Sequence, residues 1–179
     1  HPVGGFVVRS FTTDDIWDAI ELRGTLEGTA ARLAAERFTG VSEELAPLRE
    51  YRDKMDQFLH LNEDSFVEYL ELNEKFHASI AKLAGSSMLR RTLDHVFALP
   101  FAAPSALVFA RAKLPHAREL FIVGQEHHHA LVESIEQRQG ARAESIAREH
   151  ARLSRRNLES VLTNEEILSC VPGSTLLRA

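Results

Sequence analysis

Three histidines, His77, His128 and His150, each fall at the centre of the apolar stripe of a different predicted helix. An imidazole turned into a core needs a partner, because a buried polar group left unpaired costs on the order of 1–3 kcal/mol. One such histidine is read most simply as a core residue bonded to a backbone carbonyl. Three from separate helices can instead share one partner at the middle of a bundle, and a bound metal ion is the simplest one. Imidazole nitrogen suits zinc, nickel, copper or ferrous iron, and three histidines leave positions open for water or a ligand oxygen. Asn73, one helical turn before His77, can reach the same point. Its amide oxygen is a weaker donor than a carboxylate.

The selection rests on phase, since a helix turns about 100° per residue. In the third predicted helix Phe66, Tyr69, Leu70, Asn73, Phe76, His77, Ile80 and Ala84 share a face. In the fifth, Phe121, Gly124, His128, Leu131, Val132 and Ile135 do so, while His127 and His129 lie about 100° to either side of His128. In the sixth, Ala143, Ile146, His150, Leu153, Asn157 and Val161 line up, with Ser154 beside them. In the first, Ala19, Leu22, Leu26, Ala30 and Leu33 form the stripe and Arg23 stands at its edge. Arg23 reads either as a snorkelling surface residue paired with Glu27 or as a clamp for a carboxylate ligand inside the bundle. Ser154 and Asn157 can bind a polar ligand, or bond back to the preceding helical turn.

The elements that must carry these residues are almost all helical. Gly5 to Arg9 reads as a short extended piece. A first helix runs from about Thr13 to Arg37, capped by Thr12 or Thr13 with Asp14 and Asp15 in its first turn. Phe38 to Ser42 breaks it, and a second helix reaches about His60. A third opens at Asp64 or Ser65 and ends near Gly85, and a fourth begins at Ser86 or Ser87. Pro100 and Pro104 interrupt that fourth helix. A fifth follows Pro115 to about Gln139, closed by Gly140; a sixth runs from Ala141 to about Leu162. The tail, 163–179, is expected to be loosely held. Long helices with short turns predict an all-α fold, an antiparallel bundle of six to seven helices.

The 179 residues suit one domain able to bury its own core. A net charge of −5 gives this chain no electrostatic reason to hold nucleic acid or an anionic membrane by itself. One cysteine, Cys170, permits no internal disulfide and fits a reducing compartment, the cytoplasm. It lies in the tail with no paired histidine, so a cysteine nucleophile has no support. No apolar run reaches membrane-spanning length. The start at His1, without methionine, reads as a fragment or a processed product.

The same residues resemble the C-terminal effector domain (FCD) of FadR-type regulators in the GntR family. Glu21-Leu-Arg-Gly-Thr-Leu-Glu27 with Ala30-Ala-Arg-Leu-Ala-Ala-Glu36 resembles the first effector-domain helix. Asn73-Glu-Lys-Phe-His-Ala-Ser-Ile80 resembles the D/N-x-x-F-H segment, and His127-His-His-Ala-Leu-Val-Glu-Ser-Ile135 the E-H-x-x-I-x-x-A-I segment. His150 follows His128 across a glycine turn as the last two family histidines do. The ordered set covers about residues 12 to 162. Three positions depart from the pattern: Asn73 stands for the usual aspartate, His127 for a glutamate and Ser86 for an asparagine.

The resemblance implies an FCD-type bundle over 12–162 with a central pocket where a metal and a small carboxylate meet. It implies Asn73, His77, His128 and His150 as metal ligands, with zinc, or else nickel, iron or manganese, as the ion. Arg23, Ser154 and Asn157 are the expected effector-binding residues, and the effector is expected to be a small organic acid or sugar acid. Residues 1–11 resemble the end of a winged helix-turn-helix domain, its wing and linker, so the implied protein is a non-enzymatic transcription regulator. It would act as a homodimer and reach operator DNA only through that N-terminal domain. Two other classes compete. One is a metal-free helical ligand-binding or interaction module. The other is a ferritin-like di-iron enzyme, for which Glu74 with His77 and Glu126 with His129 have the required spacing. Phase opposes the enzyme: Glu126 points nearly opposite His128, and Glu27 stands about 100° from Leu26, a poor position for an inward carboxylate.

Overall fold

The structure is a computed structural model that describes residues 10–60, 66–99, 101–106, 117–169, 171 and 174–178. Among these residues the chain forms seven α-helices: α1 Thr13–Arg37, α2 Ser42–Asp56, α3 Phe66–Leu83, α4 Ser87–Phe97, α5 Ala117–Glu136, α6 Gly140–Leu162 and α7 Glu165–Ser169. A single turn of 3₁₀-helix, 57–60, extends α2. Two residues of extended chain, β1 (Phe11–Thr12), pair in parallel with β2 (Leu177–Arg178). The all-α bundle expected from the helical punctuation is the observed architecture. The extended piece expected at 5–9, Pro100, Pro115, Cys170 and Pro172-Gly173 lie outside the described residues.

Local chemistry explains most boundaries. Thr12 caps α1 with its hydroxyl on the Asp15 amide, and the Asp15 carboxylate returns to the Thr12 amide, a reciprocal box. Ser86 caps α4 through the Leu89 amide. Gly85, at φ +61°, ends α3 in the left-handed conformation that glycine adopts without steric cost. The turn between α5 and α6 differs from expectation. Gly140 does not close α5 but opens α6, and the left-handed residue is Arg138, φ +58°. The Arg138 amide donates to the Ile135 carbonyl and the Gln139 amide to the Ser134 carbonyl, a complete Schellman arrangement. Gly140 instead lies close against α1. A Cβ there would stand 3.1 Å from Arg32 Cγ and 3.2 Å from Glu36 Cγ.

Helix α1 is the hub, touching α3, α4, α5 and α6, and its contact with α6 is the most extensive in the chain. The two run antiparallel. A Cβ on Gly24 would meet Ala151 Cβ at 3.0 Å, and one on Gly28 would meet Arg148 Cγ at 2.8 Å and the Glu144 carbonyl at 3.1 Å. This closeness rotates α1 away from the stripe read in the sequence. Leu22, expected inside, is 47% exposed, and Arg23, expected at the edge, is 1% exposed. Ala30, Ala31, Ala34 and Ala35 are buried inside the chain's own core.

The main core joins these alanines to Leu45, Leu48, Phe76, Ile80, Leu131, Val132 and Ile135. A second cluster at one end gathers Ile16, Ile20, Phe101, Leu158, Val161, Ile167 and Val171. The described part of 163–179 is therefore docked rather than loose: Ile167 and Val171 are buried, and Leu177 pairs with Phe11.

Replacing Gly28 by leucine should force α1 and α6 apart. We expect a loss of about 2–3 kcal/mol, the range for overpacking a tight contact, seen as a lower urea midpoint. An unchanged midpoint would show that the two helices separate at no cost.

Candidate functional site

Helices α3, α5 and α6 bring His77, His128 and His150 to one point. One ring nitrogen from each lies within 4.8 Å of the others. His128 Nε2 is 3.3 Å from His150 Nε2, and the ring centroids of His77 and His150 are 5.2 Å apart. His128 is fully buried, with Phe76 tilted against its ring at 4.5 Å. His150 is partly exposed as a residue, but its Nδ1 is sealed from solvent. The phase argument holds for the triplet: His127 and His129 are both partly exposed, and His129 Nε2 pairs with Asp56 Oδ1 at 2.9 Å.

The site's charges come from α1. Arg23 Nη1 donates to the Ala102 carbonyl (3.0 Å), and Nη2 donates to the Ala151 carbonyl (3.1 Å) and to Ser154 Oγ (2.9 Å). Its Nε lies 3.4 Å from Glu27 Oε2, and Glu27 Oε1 lies 2.9 Å from His77 Nδ1. Glu27, judged a poor inward residue from phase, is thus buried between Arg23 and His77. Neither of its oxygens receives a well-aligned hydrogen bond, so the pairing is Coulombic. Burial pushes the Glu27 carboxyl up, but the charges of His77 and Arg23 outweigh it and the net direction is down. Burial lowers the Arg23 guanidinium, and Glu27 opposes that. Burial, then the neighbouring His128 and His77, hold His150 well below the ordinary imidazole range, so it is kept neutral.

The other expected residues are all buried, with different partners. Asn73 donates its amide to Ser105 Oγ (3.3 Å), whose hydroxyl donates to the Leu70 carbonyl (3.4 Å). Ser154 is committed to Arg23. Asn157 keeps a buried Oδ1 with no partner among the described residues. Phase missed Gln125, which lies one turn before His128: His128 Nδ1 donates to its Oε1 (3.0 Å). Its nitrogen donates to the Arg52 carbonyl (2.8 Å) and to Asp56 Oδ1 (2.7 Å). The spacing 121–125–128–132 along α5 was the available signal.

The donor set fits a transition metal. His77 Nε2 and His150 Nδ1 are buried with no hydrogen-bond partner among the described residues. Three neutral-capable imidazoles are chemically matched to such an ion. Carboxylates for a di-iron centre are not in place, since Glu74 and Glu126 are both exposed. Beside the histidines lies a nearly closed cavity, bounded by Glu27, His77 and His150 at its polar end and by Ile80, Leu93 and Leu131 elsewhere. Its free space, about 10 Å³, admits little more than one water. A roomier cavity of about 450 Å³ adjoins it between α3 and α4 and shares Ala81, Leu93 and Phe97 as a wall.

Arg23→Met should destabilise the chain by about 3–5 kcal/mol, the range for breaking one side of a buried pair. Adding Glu27→Gln should restore part of that loss in a denaturation cycle. Strict additivity of the two changes would show that the side chains do not interact.

A profile of the FCD domain matches residues 18–153, well over half of the chain. The Nta operon transcriptional regulator of Aminobacter aminovorans is 35% identical over 92 residues, covering 51% of this chain and 41% of that protein. The Glc operon transcriptional activator of Escherichia coli (strain K12) is 26% identical over 158 residues, covering 87% of this chain and 60% of that protein. The chain thus spans 60% or less of the length of these curated relatives. With the helical bundle in place and the profile matched from α1 into α6, the chain belongs to the FCD-domain family.

Proposed function

We propose that this chain is the ligand-sensing and dimerising domain of a bacterial GntR-family transcriptional regulator. On this reading a small organic-acid or sugar-acid effector binds at a histidine-held metal in the bundle centre. It modulates DNA binding by a winged helix-turn-helix domain outside this chain. The role is regulatory rather than enzymatic, in the cytoplasm, and both relatives are named as transcriptional regulators. No helix among the described residues is long and apolar enough to cross a membrane.

The observation that carries the reading is the convergence of three imidazoles from three helices, with two sealed ring nitrogens lacking a partner. His77, His128 and His150 would hold the ion, zinc first, with nickel, iron or manganese as alternatives. Asn73, whose amide nitrogen is held by Ser105, is the fourth candidate through its amide oxygen. When bound, the ion supplies a Lewis-acidic centre with positions open to a carboxylate oxygen. The protein's own groups do not offer that attraction. Arg23 and Glu27 cancel, Arg23 does not line the inner cavity, and His150 there is held neutral. An effector carboxylate reaches Arg23 only by exchanging with Glu27, and then Ser154 and Asn157 lie on the same helix to meet its polar groups.

Size supplies the coupling. The inner cavity is too small for an organic acid, so binding must open the wall shared with the larger cavity, where Leu93 and Phe97 of α4 stand. A ligand that binds the open arrangement better shifts the packing of α4 on α1 and α3. This is a route from effector to inter-domain geometry.

Protein purified without chelator or histidine tag should carry about one transition metal per chain by elemental mass spectrometry, and His77→Ala should lose it. Small carboxylates should then raise the melting temperature of the loaded wild type only. Absence of metal in a correctly folded wild type would sink the metal-anchored reading and favour the metal-free helical module.

A further inference from the structure

We infer that Gln125 is a positioning residue for the histidine cluster: its side-chain amide locks His128 in the tautomer with hydrogen on Nδ1 and so turns a bare Nε2 toward His150. A main-chain carbonyl only accepts, and the Arg52 carbonyl lies 2.8 Å from Gln125 Nε2. The Asp56 carboxylate also accepts, and its Oδ1 lies 2.7 Å from the same nitrogen. Both neighbours therefore require the NH₂ end of the amide, and the flipped amide would place an oxygen against two acceptors. Asp56 is itself held as an acceptor by His129 Nε2, at 2.9 Å from Oδ1 and 3.2 Å from Oδ2. With its nitrogen committed, Gln125 turns Oε1 toward His128 Nδ1 at 3.0 Å, and that contact is a hydrogen bond only if Nδ1 carries the proton. With His128 neutral, as a metal ligand must be, the ring has one N–H, and Nε2 is left as a lone pair.

The consequence lies 3.3 Å away at His150 Nε2. Two bare nitrogens at that distance repel. In the metal-free protein His150 must therefore donate Nε2–H to His128, which leaves its own Nδ1 bare, and that atom is buried with no partner among the described residues. The chain from α2 through Gln125 thus dictates the protonation pattern of two histidines on two further helices. Gln125 is 3% exposed, so water cannot substitute for its partners. A second group that orients a histidine and fixes its tautomer commonly raises metal affinity. That part of the inference rests on the metal reading above; the tautomer itself does not.

Long-range nitrogen–proton NMR on chelator-treated wild-type protein reads the tautomer directly, with His128 assigned from the signals lost in His128→Gln. The expected result is one tautomer with the proton on Nδ1. A proton on Nε2 would overturn the inference without any variant. Gln125→Met keeps the volume and removes both hydrogen-bonding ends. It should lose the single tautomer and weaken zinc binding roughly 10–100-fold. If it merely loosens α2 from α5, stability will fall while tautomer and zinc affinity stay as they were, and the inference is overturned. Should Gln125→Met fail to fold, Gln125→Asn, one methylene too short to span Asp56 and His128, replaces it with the same expectations. A wild type that takes up no zinc but shows the Nδ1 proton defeats the metal reading and supports the tautomer assignment, so the two failures are separable.

Discussion

At Gly24 and Gly28 helix α1 lies so close to α6 that a single added carbon would collide with Ala151, Arg148 or the Glu144 carbonyl. The polar groups that α1 sends into the bundle are placed by that approach. It sets the rotation of α1, and that rotation carries Arg23 and Glu27 inward while leaving Leu22 at the surface. Once inside, Arg23 has no path to water and must satisfy its donors on the backbone. It finds the Ala151 carbonyl on α6 and the Ala102 carbonyl beyond α4. One arginine thereby ties three parts of the fold together, and Glu27, its necessary counter-charge, sets the electrostatics felt by His77.

A bundle built for stability alone would not look like this. Burying a charged pair against well-packed apolar residues is often neutral or unfavourable, and here neither Glu27 oxygen is well aligned with a donor. Sealed atoms of His77, His150 and Asn157 also lack partners among the described residues. Each unpaired group costs on the order of 1–3 kcal/mol, a large share of the roughly 5–15 kcal/mol by which a domain is stable. The surrounding shell of alanines, leucines and phenylalanines is by contrast closely packed. Trp17 Nε1 and His127 Nδ1 are buried and unpaired among the described residues as well, but most such atoms belong to Arg23, Glu27 and the histidine cluster, the concentration expected of a binding site rather than a faulty core.

Periodicity exposed the three histidines because each sits on a helix whose apolar face is strong and whose phase is unambiguous. Phe76, Ile80, Leu131, Val132 and Ile135 leave no other side for the core. The same method failed on α1, where small residues weaken the stripe and an arginine four residues before a glutamate looks like an ordinary surface pair. Close approach through glycine is invisible to a hydrophobic count. Gln125 was passed over for a related reason: a polar side chain at the border of a face is read as solvated unless its partners are known, and these lie on α2, about 70 residues away. The turn at 138–140 failed differently. Glycine is the default expectation for the left-handed position, yet Arg138 takes it and Gly140 packs against Arg32 and Glu36 of α1.

The weakest wall of the site is also its most informative part. Helix α4 has only 11 residues, and its inward side is Leu93 and Val96 with partly buried Leu89 and Phe97. By area that is a modest anchor, at about 25 cal/mol per Å² of buried apolar surface, compared with the long seam between α1 and α6. Elements with few buried contacts open at the lowest free-energy cost. The two cavities meet behind Leu93 and Phe97, so a displacement of α4 would join the histidine centre to the larger space. Gln125 and Asp56, on α5 and α2, take no part in that wall and would stay in place, whereas Arg23 is tied to it through the Ala102 carbonyl beyond α4. A ligand entering between α3 and α4 would therefore meet a fixed set of nitrogens behind a movable wall, and the work of binding would appear as a displacement of α4 rather than a rearrangement of the centre.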